Sequence, residues 1–191
     1  MWKTYLFGPA TDLKIPFDKY LSYVTPYSVT TSIVRHADRQ FSGGLKGKVL
    51  WDVFTGIGSD ALLFAPHVKT IFATEIHQET YQCAVENLKG HENITLVQAD
   101  CTGFNCQADI AYCDPPWGPS FKPGEPFSFE GKTLANGQSI LDFIRQIKTP
   151  YLIIKSPLLS DSFETLFPAD SVLNMYLFTQ QKLKFIFIKN F

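Results

Sequence analysis

The sequence predicts an α/β fold in which a mainly parallel, seven-stranded sheet is covered by helices on both faces. Three observations support this prediction. Short apolar runs alternate with helical segments along the chain, the first strong run enters a glycine-rich turn that leads into a helix, and the chain ends in an antiparallel pair of apolar runs. Alternation at this spacing is typical of parallel strands joined by helical crossovers.

The elements follow in order along the chain. Thr25 before Pro26 has the form of a helix N-cap with proline in the first turn, and the helix it starts is expected to end near Phe41. We expect one domain, with 1–46 as a helical extension and 47–191 as the sheet-bearing core. Strands are predicted at 48–54, 68–74, 94–98, 108–113, 151–154, 172–178 and 183–188, and further helices at 60–64, 78–89 and 138–147.

Composition excludes several functional classes. The chain has 191 residues, of which 45% are hydrophobic and 18% charged, as expected for a folded globular domain. The net charge of -1 argues against a polybasic protein that coats nucleic acid. Residues 131–191 nevertheless carry 7 Lys/Arg against 4 Asp/Glu, and on charge alone Lys182, Lys184 and Lys189 are best interpreted as a solvated strand face.

The four cysteines show neither zinc-ligand spacing nor a disulfide framework, so we expect no metal site. The first residues lack a continuous apolar signal-peptide core, and no run is long enough to span a membrane. We therefore expect an intracellular protein, in nucleus or cytoplasm, without a membrane partner. We also expect a monomer.

Acidic and glycine residues follow successive predicted strands. Asp52 lies near the end of the first strand, and the turn glycines Gly56 and Gly58 follow it. Glu75 follows the second strand and Asp100 the third. Ligands of such sheets bind beyond the carboxyl ends of the strands, where a turn glycine allows close approach and an acid can accept hydrogen bonds from ribose hydroxyls or an adenine amine. The pattern indicates an adenosine cofactor. The incomplete glycine fingerprint makes a nicotinamide-dependent enzyme the weakest alternative.

The fourth strand runs into Asp114-Pro115-Pro116-Trp117. Two prolines make the loop rigid between an acid and a large aromatic ring, which suits the positioning of a substrate. Asp, Asn or Ser followed by Pro-Pro and an aromatic residue after the fourth strand is typical of enzymes that methylate exocyclic amines of nucleobases.

In motif order the chain resembles the class I S-adenosylmethionine-dependent methyltransferases, and in detail the trimethylguanosine synthase family, which dimethylates the 2-amino group of 7-methylguanosine caps. Residues 21–26 are similar to the family's W-F-S-V-T-P, 52–58 to D-x-F-C-G-x-G, 114–119 to S-P-P-W-G-G-P and 182–184 to K-L-K. The resemblance implies a Rossmann-like catalytic core and the methylation of RNA caps with S-adenosylmethionine.

The same resemblance implies roles for individual residues. Trp117 is expected to stack on the cationic 7-methylguanine, and Asp114 or the Pro115 carbonyl to accept hydrogen bonds from the target amine, within a catalytic loop that includes Pro116. Lys155, which we place at the end of the fifth strand, joins Lys182 and Lys184 as an expected ligand of the cap phosphates. The expected cofactor-binding residues are Thr25, Pro26, Asp52, Phe54, Gly56, Gly58, Glu75, Asp100 and Cys101.

The chain departs from the family at Asp114, where the family has Ser, at Thr55, where it has Cys, and by one missing glycine after Trp117. Asp-Pro-Pro-Trp also marks messenger-RNA adenine methyltransferases, although their motif order is the reverse. An enzyme acting on adenine or guanine amines in other RNA or DNA is therefore the alternative. A methyltransferase-like subunit without activity is a third hypothesis, which the intact acid, prolines and tryptophan oppose.

Overall fold

The structure, a computed structural model, describes residues 2–9, 12–160 and 163–190. It contains a seven-stranded mixed sheet, and the chain divides into two units, residues 1–106 and 107–191. The first unit carries three of the strands and the second carries four.

The first unit holds three parallel strands in the order β3-β2-β1. The register pairs Asp52 with Ala73 and Glu75 with Gln98, so the carboxyl ends of the three strands lie at one edge. The strands are β1 (Val49–Asp52), β2 (Thr70–Glu75) and β3 (Ile94–Gln98), and the helices are α1 (Trp2–Phe7), α2 (Tyr27–Gln40), α3 (Ser59–Phe64) and α4 (Gln78–Asn87), with 3-10 helices at Asp18–Tyr23 and Cys101–Gly103.

The second unit holds four strands in the order β4-β5-β7-β6. β4 and β5 are parallel, whereas β7 runs antiparallel to both β5 and β6. The strands are β4 (Ile110–Cys113), β5 (Tyr151–Pro157), β6 (Val172–Phe178) and β7 (Leu183–Lys189), and the helices are α5 (Ile140–Gln146) and a 3-10 helix at Ala169–Ser171.

Burial follows the composition of the strands. Every residue of β4 and β5 is buried, as expected for near-continuous apolar runs that are covered on both faces. The edge strand β6 has exposed residues along its length, among them Met175 and Leu177. The core of the second unit therefore lies around β5 and β7.

The predicted arrangement of strands and helices is confirmed, and it differs in several details. β5 extends to Pro157 because its pairing with β7 continues to Leu183, so Lys155 lies inside the strand and our placement of it at the strand end was wrong. α2 begins at Tyr27 after Pro26, and Thr25 does not cap it. α1 and the 3-10 helix at Asp18–Tyr23 were not predicted, because packing of residues such as Phe7 against Val24 stabilises these short segments rather than local propensity.

Candidate functional site

The glycine turn between β1 and α3 has two positions that only glycine fits. Gly56 and Gly58 have left-handed φ angles of 57° and 83°. A Cβ on Gly56 would lie 2.4 Å from the Tyr20 hydroxyl oxygen, and one on Gly58 would lie 2.8 Å from the Leu88 side chain. The glycines are therefore required for close packing, and the turn provides a backbone surface that a nucleoside can approach.

Asp52 fixes this turn from below. Its carboxylate is buried and accepts a 2.6 Å hydrogen bond from the Thr55 hydroxyl. The Thr55 amide in turn donates to the Thr74 carbonyl of β2. A threonine at position 55, where the resembling family has Cys, can make this bond to Asp52. The direct cofactor contact expected of Asp52 stays a prediction.

Glu75, the last residue of β2, is held by main-chain donors. It is 9% exposed, and the His77 amide donates to its carboxylate at 2.7 Å. Burial raises the pKa of Glu75 because the charged form loses hydration, while hydrogen bonds from the His77, Gly56 and Ile76 amides oppose this shift. A buried carboxylate joined to the glycine turn through Gly56 suits the recognition of ribose hydroxyls.

Asp100 follows β3 and caps the 3-10 helix at Cys101–Gly103. One of its carboxylate oxygens accepts from both the amide and the hydroxyl of Thr102, at 2.9 and 2.8 Å. Burial, aided by the charge of Asp100, raises the pKa of Cys101 to about 12. The Cys101 thiol is therefore uncharged at neutral pH, which suits a contact with a neutral base and not nucleophilic chemistry.

Thr25 makes a structural hydrogen bond that the sequence did not reveal. Its hydroxyl donates to Asp60 at 3.0 Å, and Thr30 donates to the other oxygen of the same carboxylate at 2.6 Å. Asp60 thereby joins the start of α2 to the start of α3. Pro26 immediately precedes α2 and Phe54 is half-buried, and the cofactor contacts expected of both stay predictions.

The N-terminal segment that contains Lys14 and Tyr20 packs against the glycine turn, a contact that the sequence did not reveal. Asn87 of α4 accepts from the Lys14 amide at 2.6 Å and donates to the carbonyls of Lys14 and Ile57 at 3.0 and 2.9 Å. The Tyr20 ring contacts Phe17 and Tyr23 edge to face. No charge or glycine pattern marks Asn87 or Tyr20 in the sequence.

In the second unit, Asp114-Pro115-Pro116-Trp117 follows β4 as predicted. Asp114 and Trp117 are half-buried, whereas Pro115 is buried and Pro116 exposed. The Trp117 indole N–H is buried and finds no hydrogen-bond partner among the residues that the structure describes. Since a buried N–H donor without a partner costs about 1–3 kcal/mol, this loop has a donor suited to a ligand acceptor.

Aromatic rings support that loop. Trp117 meets Phe121 at 4.6 Å between ring centroids, and contacts continue from Phe121 to Phe127, then Phe129, then Phe163. Phe129 and Phe163 are fully buried. Part of the aromatic surplus of the sequence is therefore used to hold the tryptophan in place.

The three lysines expected to bind phosphate differ in surroundings. Lys155 is buried, with its ammonium nitrogen 2.6 Å from an Asp114 oxygen. Lys184 is also buried and forms an ion pair with Glu164. Lys182 is exposed, in the turn between β6 and β7 with a left-handed φ of 58°. A phosphate can reach Lys182 directly, whereas at the other two lysines it would compete with a carboxylate.

Within residues 2–9, 12–160 and 163–190, no group of three or more His, Cys, Asp or Glu side chains could hold a metal ion. In the same residues no helix is long and apolar enough to cross a membrane.

A model of the RNA cap guanine-N2 methyltransferase family matches residues 47–157, more than half of the chain. An uncharacterized RNA methyltransferase of Caldanaerobacter subterraneus subsp. tengcongensis is 29% identical over 84 residues, which are 41% of this chain. The chain spans 19% of the length of that curated relative.

Solved structures share the fold. A proposed RNA methyltransferase from Pyrococcus horikoshii is 20% identical, with a TM-score of 0.67 over 99% of this chain and 98% of that one. A SAM-dependent methyltransferase from Aquifex aeolicus is 13% identical, with a TM-score of 0.57 over 91% and 93% of the two chains. The predicted Rossmann-like methyltransferase fold is confirmed.

Proposed function

The chain belongs to the RNA cap guanine-N2 methyltransferase family, and from this premise we propose that it methylates the exocyclic 2-amino group of 7-methylguanosine in RNA caps. The family membership also supports the coarser statement, that the protein is an RNA methyltransferase of the S-adenosylmethionine-dependent class. The observation that carries the finer one is the Asp114–Trp117 loop, in which a hydrogen-bond acceptor and an aromatic face are held three residues apart by two prolines.

S-adenosylmethionine is the cofactor, and when bound it supplies an electrophilic methyl group. The first unit has residues that fit its adenosine part. The Gly56 position leaves no room for a side chain, the buried Glu75 carboxylate is an acceptor for ribose hydroxyls, and Asp100 is an acceptor for the adenine amine. These roles belong to the proposal.

Asp114 acts on the amine of the base. The lone pair of an aryl amine is delocalised into the ring, so an acceptor that binds its N–H localises the lone pair on nitrogen and raises its nucleophilicity. Asp114 provides a carboxylate for this bond, and the neighbouring Pro115 carbonyl is a second acceptor. Most of the rate of such an in-line displacement comes from proximity and orientation, which the rigid loop supports.

Trp117 offers its ring to the base. An indole attracts a cation more strongly than a neutral ring, so stacking favours 7-methylguanine over guanine. Its buried indole N–H is a donor for an acceptor on the substrate. The exposed Lys182 is the first candidate for the cap phosphates, and the predicted roles of Lys155 and Lys184 there require that each leave its carboxylate partner.

One observation favours a second candidate. Asp114 stands where the resembling family has a neutral Ser, so an exocyclic amine of adenine or guanine in another RNA or DNA is the alternative target. The relative from Caldanaerobacter is named only as an RNA methyltransferase.

The test is a competition assay. The protein is incubated with methyl-labelled S-adenosylmethionine and equal amounts of 7-methyl-GTP, GTP and ATP, and mass analysis locates the methyl group on each product. We expect transfer to the 2-amino group of 7-methyl-GTP, and none by the Asp114→Ala variant. Equal transfer to GTP, or transfer to ATP, would contradict the proposed cap specificity and favour the second candidate.

A further inference from the structure

Lys155 is a charged residue in the buried interior of the second unit. It lies inside β5, a strand whose seven residues are all buried, and it is 3% exposed. Its pairing partner on β7 is Phe185, which is fully buried. A buried ammonium is costly unless a counter-charge faces it, so its position demands a reason.

The strand register supplies the counter-charge. β4 pairs with β5 through Cys113 and Ile154. The next residue after Cys113 is Asp114, just beyond the end of β4, and the next residue after Ile154 is Lys155, inside β5. Their charged groups meet at 2.6 Å, with the two side chains 20% and 4% exposed. Asp114 is the carboxylate that the proposed function assigns to the target amine.

The same ammonium faces the tryptophan. The Lys155 nitrogen lies 5.3 Å from the centroid of the Trp117 ring, which is within the range of a cation–π contact. Trp117 also contacts the Phe121 ring edge to face. One side chain therefore contacts both groups that are expected to bind the base.

Building on the proposed function, we propose that Lys155 is a positioning and specificity residue, which orients Asp114 and lowers the preference of Trp117 for a positively charged base. Its buried charge serves this pair and does not bind the cap phosphates. Asp114 and Lys155 thus form a matched set, in which the ammonium is needed because residue 114 is an acid.

Two physical effects act in the same direction. An ammonium on the Trp117 ring already draws on the negative potential that would attract 7-methylguanine, and it repels a second cation. It also balances the charge of Asp114, which would otherwise attract a cationic base. Both effects decrease the difference in affinity between 7-methylguanine and neutral guanine.

The experiment compares Lys155→Met, which keeps the length and removes the charge, with Lys155→Arg, which keeps the charge. Dissociation constants are measured for 7-methyl-GDP, GDP and 7-methylguanosine, and kcat and KM for methyl transfer to 7-methyl-GTP. In Lys155→Met we expect the ratio of the GDP constant to the 7-methyl-GDP constant to rise by roughly five-fold. We expect kcat to fall more than KM rises, because Asp114 is no longer oriented, and Lys155→Arg to keep the wild-type ratio.

If Lys155 were purely structural, Lys155→Met would weaken the binding of all three ligands together. If Lys155 bound phosphate, Lys155→Met would weaken the binding of the two nucleotides but not of the nucleoside. Either result, or an unchanged ratio, overturns the assignment. If Lys155→Met does not fold, Asp114→Asn is compared with the double variant Asp114→Asn/Lys155→Met, in which no unpaired charge remains. Loss of the cation–π contact alone must then still raise the ratio of the GDP constant to the 7-methyl-GDP constant.

The failure of the proposed function gives a different result. A wild-type protein that binds the nucleotides with the predicted change in Lys155→Met, but transfers no methyl group to guanosine, contradicts the proposed function and leaves the role of Lys155 in binding intact. A wild-type protein that binds neither nucleotide overturns both.

Discussion

The two units hold their buried and half-buried carboxylates with different partners. In the first unit, Glu75 accepts from main-chain amides and Asp60 from two threonine hydroxyls. In the second, Asp114 and Glu164 face the buried ammonium groups of Lys155 and Lys184. The first set is held by neutral donors, and the second by opposite charges.

This difference matches the chemistry proposed for each unit. A carboxylate held by neutral donors can also accept hydrogen bonds from a neutral ligand such as a ribose. A charge pair is a matched set, because removal of one member leaves the other buried without compensation. In the second unit, replacing one member of a charge pair should therefore decrease stability more than replacing both members. In the first unit, replacing a carboxylate or its neutral donor should not show this difference.

The largest effect is expected at the Lys184–Glu164 pair. Lys184→Met leaves Glu164 without its partner, and we expect a loss of about 2 kcal/mol in the free energy of unfolding, below the 3–5 kcal/mol range for buried pairs because Glu164 is 26% exposed. Urea denaturation measures this loss. The double variant Glu164→Gln/Lys184→Met should recover at least half of it.

If the single and double variants lose the same amount, the pair is not coupled and the contrast between the units fails. Cap-analogue binding by the folded double variant also tests the predicted phosphate role of Lys184, since that role requires weaker binding of 7-methyl-GDP but not of 7-methylguanosine.

The second effect is the difference of about 1 kcal/mol in stability between two matched glycine variants, and it tests the glycine turn of the first unit. Gly56→Ala and Gly43→Ala both place a side chain at a left-handed φ, but a Cβ at Gly43 meets nothing within 4 Å, whereas at Gly56 it meets Tyr20. Strain alone costs about 1–2 kcal/mol at either position. We expect Gly56→Ala to lose about 1 kcal/mol more stability than Gly43→Ala. We also expect Gly56→Ala, but not Gly43→Ala, to bind S-adenosylmethionine more weakly than wild type.

Thermal unfolding and calorimetric titration separate the two contributions. Equal cofactor affinity in the Gly43 and Gly56 variants would show that the turn does not approach the cofactor.

The smallest effect concerns pH. Because burial raises the pKa of Glu75, its protonated form is more favoured in the folded chain than in the unfolded chain. The resulting stabilisation is present below the unfolded pKa and is lost as the pH rises through the folded pKa. Glu75→Gln has no such titration, so its free energy of unfolding should rise relative to wild type as the pH increases from the unfolded pKa of Glu75 through its raised folded pKa.

Denaturation at several pH values provides this comparison, with Glu79→Gln on the same unit as the control for removal of one acid. A difference between wild type and Glu75→Gln that is constant with pH would contradict the pKa direction.

The sequence predicted the fold because its signals are local. Apolar runs, the glycine turn and the Asp114–Trp117 loop are each carried by neighbouring residues, and β3 and β6 have the predicted bounds. The partners of the site residues depend on residues far apart in sequence. Lys155 meets Asp114 across 41 positions, and Asn87 meets Lys14 across 73, so no periodicity reveals them.

The central claim is that the first unit binds the cofactor and the second binds the base, and calorimetric titration of two variants with two ligands tests it most directly. We predict that Glu75→Gln weakens the binding of S-adenosylmethionine by about 1–3 kcal/mol, because ribose hydrogen bonds are lost, and changes the dissociation constant of 7-methyl-GDP by no more than about two-fold. We predict the reverse for Trp117→Ala, with cofactor affinity kept and most of the preference for 7-methyl-GDP over GDP gone. If both variants weaken both ligands equally, the claim is contradicted.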